Sequence, residues 1–221
     1  RVELLQGRDV NKDQSYVLSA LTGAQLMQTL LPLGDYLKTE VRALAKRFEL
    51  PVAEKPDSQD LCFLGSEDYR DFLVRHEPCL AKPGPIVSVS GELIGEHQGL
   101  AFYTIGQRKG LGIAAAQPMY VIDKEQRHNT LIVGAKETLG RSEMTVMDPN
   151  WVSSSPPAEL FRAEVKIRYK AAPAWATVTV INGAKLHVQF DRPLRDITPG
   201  QYAVFYHGER VLGGGVIHGA L

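Results

Sequence analysis

Across 221 residues, 25 Lys and Arg balance 25 Asp and Glu, so composition gives no global sign of nucleic-acid binding. Hydrophobic residues make up 44% and charged residues 23%, ordinary for a globular chain with room for one large domain or two to three small ones. No apolar run approaches the roughly 18 residues of a membrane span and no signal segment opens the chain, so a cytoplasmic protein without membrane partners is the default; two cysteines are too few for a disulfide-stapled scaffold.

The opening RVELLQGRDVNKDQ has no initiator Met and reads like the middle of a longer sequence, so Arg1 need not be the natural start. From Asp13 to about His76 the period is helical. Short helices are expected over 14–21 and 24–30. In a third, Thr39 can cap, and Val41, Leu44, Ala45 and Phe48 repeat at helical spacing before Pro51. A fourth opens at Ser66, an N-cap residue type, with Glu67 and Asp68 in its first turn and Tyr69, Phe72 and Leu73 on one face. Lys12, Asp13 and Gln14 stand at the start of the first helix. There Asp13 can cap, Lys12 can meet a phosphate and Gln14 can reach a base edge, and a helix cap is the better reading of this run alone.

Between the third and fourth helices lies KPDSQDLCFLG. A packing cysteine sits among apolar neighbours, whereas Cys62 has only Leu61 and Phe63 inside a polar, Pro- and Gly-flanked stretch. The helix start after it and Lys55 before it are two conceivable sources of thiolate character. Neither pairing with Cys79 nor a zinc site of Cys62, His76, Cys79 and His97 has spacing in its favour, so no metal is expected. His76 and His97 read as surface or loop residues, and no local signature marks a cysteine hydrolase.

From Lys82 the pattern turns to β. A hairpin turning at Ser90-Gly91 is expected, then a strand over 101–105 and a strand pair over 119–134. The intervening GQRKGLG brings together Gly106, Arg108, Lys109, Gly110 and Gly112. Such a loop suits an anion, and equally a solvated turn. DPNWVSSSPPAEL reads as a linker. Beyond it, close-spaced β-branched strands around an Asn182-Gly183 turn suggest a small closed or nearly closed barrel. Along RAEVKIRYK, alternation puts Arg162, Glu164, Lys166, Arg168 and Lys170 on one face and Ala163, Val165, Ile167 and Tyr169 on the other; Tyr169, near the strand's end, can leave the core and stack on a base. The three glycines of VLGGGVI fit barrel closure.

Taken together, NKDQSYVLSAL, PLGDYLKTEVRALA, KPDSQDLCFLG, GEHQGLAFYTIGQRKGLGI, KIRY and ITPGQYAVFY resemble, in order, the bacterial tRNA 2-thiouridylases (MnmA type). The resemblance implies an α+β chain with a helical remnant of an α/β ATP-pyrophosphatase (adenine nucleotide hydrolase-like) domain over 1–78. A small β-rich central domain over 79–147 and a C-terminal β-barrel over 148–221 complete the implied chain. It implies thiolation at C2 of the wobble uridine of tRNA. ATP adenylates the uridine oxygen, and Cys62 carries sulfur as a persulfide received from a sulfur-relay protein or cysteine desulfurase. It also implies tRNA contacts at Lys12, Asp13, Gln14, Arg168, Tyr169 and Gln201. The family's S-G-G-x-D-S phosphate loop does not occur here, and Cys79 does not sit in the motif of the family's second cysteine. The chain is therefore expected to be a C-terminal portion without an ATP site, inactive alone. The alternative is a non-catalytic RNA-binding barrel related to translation factors.

Overall fold

A computed structural model describes residues 2–56, 64–65, 67–195 and 197–220, so Cys62 and Ser66 lie outside the described residues. The chain opens with β1 (Leu4–Leu5), α1 (Ser15–Leu18), α2 (Gly23–Met27) and α3 (Lys38–Arg47), followed by α4 (Tyr69–His76), β2 (Gly84–Ser88), β3 (Leu93–His97), β4 (Tyr120–Glu125) and β5 (Thr130–Gly134). Six strands complete it: β6 (Arg141–Trp151), β7 (Leu160–Lys166), β8 (Ala174–Asn182), β9 (Lys185–Leu194), β10 (Tyr202–His207) and β11 (Arg210–Ala220). These elements gather into two compact units, Arg1–Lys55 with Arg141–Leu221, and Pro56–Gly140. Among the described residues no helix is long and apolar enough to cross a membrane.

In the first unit the strand order β1-β11-β10-β7-β8-β9-β6, with β11 also paired to β6, closes β6 to β11 into an antiparallel barrel. The alternation along β7 is realised. Ala163, Val165 and Ile167 point into a core shared with Val146, Val178, Val188 and Phe205, while Arg162, Glu164 and Lys166 stay outside. That outer face is less basic than its sequence, because Arg162 donates two hydrogen bonds of 2.6 Å to Asp191. The expected hairpin forms at Gly183 and Ala184, where the Asn182 side chain accepts from Ala184 N–H at 3.0 Å. Outward-facing Val204 and Tyr206 of β10 are covered in turn by Leu4, Tyr16 and Leu26, which is why β10 reads as the almost unbroken apolar run YAVFY.

Helix boundaries follow hydrogen bonds that the sequence pattern does not display. α1 stops after one turn because Asn150 of β6 donates to the carbonyls of Ser19 and Leu21 (2.8 and 2.9 Å), tying the chain to the barrel. Thr22 caps α2 in a reciprocal box with Gln25. In α3 Thr39 lies inside the helix, and Glu40 reaches back to Leu37 N–H at 2.6 Å. α4 is capped by Asp68, which accepts from Arg70 N–H at 2.7 Å; the expected cap Ser66 is outside the described residues.

The linker expected over 148–160 is corrected. β6 continues to Trp151, which is buried and stacks on Phe205 with centroids 5.8 Å apart. Only the residues after Val152 form a connection, and they end where β7 begins at Leu160.

The second unit is a four-stranded sheet of order β3-β2-β5-β4 with β2 and β5 parallel. Its core is Ile86, Phe102, Tyr103, Leu111, Val121, Leu131 and Val133. The strand expected over 101–105 is instead a 3-10 turn, Leu100–Phe102, which drives Phe102 and Tyr103 into that core. His97 is also not a surface residue. It is fully buried, with Gly99 N–H donating to Nδ1 at 3.0 Å and Asn129 O 2.8 Å from Nε2, so its proton sits on Nε2.

Candidate RNA-contact site

The polar run before α1 is built around Asp13. Its carboxylate is buried and accepts from Gly7 N–H (2.9 Å), Ser15 N–H (3.0 Å) and the Ser15 hydroxyl (2.7 Å); it closes the loop from one position ahead of the N-cap, which is Gln14 and not the expected Asp13. Lys12 and Gln14 on either side are exposed. Gln14 Nε2 donates to the Tyr169 hydroxyl at 2.7 Å across 155 positions of sequence. Beside this run opens a cleft of about 380 Å³, walled by Lys12, Gln14, Leu30, Leu31, Leu33 and Tyr36.

β7 ends at Lys166, so Arg168 and Tyr169 leave the strand, and both are exposed. Tyr169, with 36% of its surface open, stands edge-on to Tyr16 with centroids 6.1 Å apart. The Tyr16 hydroxyl donates to the Tyr202 carbonyl at 2.6 Å. Gln201, just before Tyr202, is exposed; its backbone donates to Thr198 O at 3.2 Å and accepts from Ile217 N–H at 2.8 Å. Tyr16 thus joins the three motif segments 12–14, 168–169 and 201–202. Reading motifs singly missed it; an aromatic residue directly after an exposed polar run at a helix start was the available signal.

Burial pushes the hydroxyls of Tyr16 and Tyr206 up to about 12, and Tyr206 also meets Ser15 Oγ at 3.3 Å. The unfolded chain ionises its tyrosines near pH 10, so it sheds protons that the folded chain keeps. The stability these groups contribute is complete below pH 10 and is lost as pH rises through about 12. Tyr206→Phe is therefore expected to flatten the fall of the denaturation midpoint between pH 10 and 12. Parallel curves for the variant and the wild type would count against that origin.

Elsewhere, Cys79 is exposed in the turn after α4, and hydrogen bonding to Glu77 holds its thiol above the ordinary range. Among the described residues no group of three or more His, Cys, Asp or Glu can hold a metal. No run of glycines opens a helix among the described residues, and Gly106 N–H is taken by Val121 O at 2.8 Å.

Three family models tile the chain in order. A tRNA methyl transferase HUP domain matches residues 1–66, a tRNA methyl transferase PRC-barrel domain 70–135, and an aminomethyltransferase β-barrel domain 141–217. Together they cover the chain as three consecutive modules. Similar to it are the tRNA-specific 2-thiouridylases MnmA of Moorella thermoacetica (46% identity over 217 residues, 98% of this chain and 61% of the relative), Proteus mirabilis (47% over 223, 97% and 60%) and Nostoc punctiforme (45% over 218, 98% and 62%). Over nearly its whole length the chain is similar to these tRNA-specific 2-thiouridylases, and it spans about 60% of the length of these relatives.

Proposed function

We propose that this chain is the sulfur-carrying and RNA-contacting portion of a tRNA uridine 2-sulfurtransferase. In this reading Cys62 receives a sulfur atom as a persulfide from a cysteine desulfurase or a relay protein, and the terminal sulfur attacks C2 of the activated uridine as the oxygen leaves with the adenylate. The family's second cysteine thiol then cleaves the S–S bond, releasing the thiocarbonyl and leaving a disulfide with Cys62. Activation of the uridine oxygen by ATP falls to residues outside this chain. Lys12 and Arg168 meet phosphates, Gln14 and Gln201 offer hydrogen bonds, and Tyr169 offers a face for stacking. Asp13 acts by holding Lys12 and Gln14 in place.

The observation that carries this reading is the Gln14–Tyr169 hydrogen bond of 2.7 Å, which sets two distant motif segments side by side on one unit. Base stacking on an aromatic ring contributes about 1–3 kcal/mol, so Tyr169→Ala in the full-length protein is expected to weaken tRNA binding by about 5- to 150-fold. Tyr169→Phe, which keeps the ring, is expected to stay close to wild type. Arg168→Ala is expected to flatten the dependence of log affinity on log salt by about 0.7–0.9, one phosphate contact. Wild-type affinity and slope in Tyr169→Ala and Arg168→Ala would remove this surface from the reading.

A further inference from the structure

In the second unit, loop 106–112 is shaped from within. Gln107 Oε1 accepts from Thr104 N–H at 3.0 Å and its Nε2 donates to the Lys109 carbonyl at 2.9 Å. Gly106 N–H and the Gln107 carbonyl pair with the two backbone groups of Val121 at 2.8 and 2.9 Å. Gly106, Gly110 and Gly112 take φ of 84°, 75° and 68°, a region that favours glycine. Leu111 is buried in the unit's core and anchors the loop, while Arg108, Lys109 and Gly110 face solvent.

The loop's internal bonds run through the backbone and Gln107, so both cations are left pointing outward, without an ion pair among the described residues. A third cation comes from α4. Arg70 Nε–H donates to the Tyr69 hydroxyl at 3.2 Å and its guanidinium lies 5.8 Å from the Tyr69 ring centroid, while that hydroxyl bonds Phe102 O at 3.2 Å. A methyl on Gly110 would lie 3.7 Å from an Arg70 nitrogen. Asp68 is committed to the Arg70 backbone N–H, and Glu67 is paired with Arg75 at 2.8 Å. Arg108, Gly110 and Gly112 also line an open cleft of about 420 Å³. Two exposed cations of the loop, Arg108 and Lys109, thus stand next in sequence to Gly110, which Arg70 of α4 approaches and which lets a ligand come close to the backbone.

We propose that loop 106–112 together with Arg70 is a second RNA-contact surface, which takes phosphodiester oxygens of the tRNA backbone. It rests on the reading that the protein acts on tRNA. Contacts of this kind position the RNA and add affinity without reading sequence.

The test uses the full-length protein and tRNA over a salt series. Removing two phosphate contacts flattens the slope of log affinity against log salt by about 1.4–1.8. Over the decade between 0.1 M and 1 M salt, that counterion effect alone makes Arg108→Gln/Lys109→Gln about 25- to 60-fold weaker at 0.1 M. Arg70→Gln is expected to flatten the slope by about half as much. Phosphate-ethylation interference should lose a set of positions in the double variant that Arg168→Ala retains. If the double variant binds with wild-type affinity and slope while Arg168→Ala is weakened, this second surface falls and the function stands. If the wild type fails to bind tRNA, both fall. Weaker binding with an unchanged slope and ethylation pattern also overturns the proposal, because the loss then comes from packing.

Discussion

Incubating the full-length protein with a cysteine desulfurase and free cysteine is expected to place the extra sulfur on Cys62, and Cys62→Ser to abolish both that label and tRNA thiolation. Cys79 is exposed and is the competing acceptor. But a sulfur acceptor attacks as the thiolate, and Glu77 beside Cys79 pushes its thiol up, so the thiolate is scarce near neutral pH. Cys79 also follows the carboxyl end of α4, where the helix dipole opposes a negative charge. Cys79→Ser should therefore keep both the label and the activity. Tryptic mass spectrometry that finds the persulfide mainly on Cys79 would reverse the assignment. Cys62→Ser should still bind tRNA near wild-type affinity, because residues 12–14, 168–169 and 201 lie on other segments.

What the sequence displayed was whatever depends on period. Alternation along 162–169 predicted the inward and outward faces of β7, and Asn182-Gly183 marked the hairpin between β8 and β9. The RY pair was placed correctly at the strand's end, where Tyr169 escapes the core. Less legible were features set by contacts between distant segments. DPNWVSSSPPAEL looked like a break because of its Ser and Pro cluster. In fact β6 bulges there: β11 residues Gly214 and Val216 pair with Asn150 and Met147, and the strand resumes to bury Trp151. His97 carries no local sign of burial, since its partners are a backbone amide two residues on and a carbonyl 32 residues on. Tyr16 is the same kind of case. Its role as the joint of the site exists only because the first segment lies on the outer face of β10.

Gly213→Ala is expected to be among the most destabilising single substitutions in the barrel, although it adds one methyl group. Gly213 is paired on both sides, with Phe205 of β10 and Trp151 of β6, at the seam that closes the cylinder. A Cβ there would collide with the Asn150 carbonyl oxygen and come within 2.8 Å of the Trp151 ring and 3.1 Å of its Cα. Two of these three are backbone atoms and cannot swing aside, so the β6–β11 ladder must open or the Trp151–Phe205 stack must shift. Overpacking of this kind costs about 1–3 kcal/mol, and more where backbone must move. For a domain of this size, a loss of about 3 kcal/mol lowers Tm by about 6–12 °C. Gly183→Ala is the matched control, since no atom lies within 4 Å of its Cβ and its backbone is outside the left-handed region. That change is expected to be neutral, or stabilising by about 0.4–1 kcal/mol through the unfolded chain. Calorimetry giving the two variants equal melting temperatures would show that the seam has room it is not expected to have.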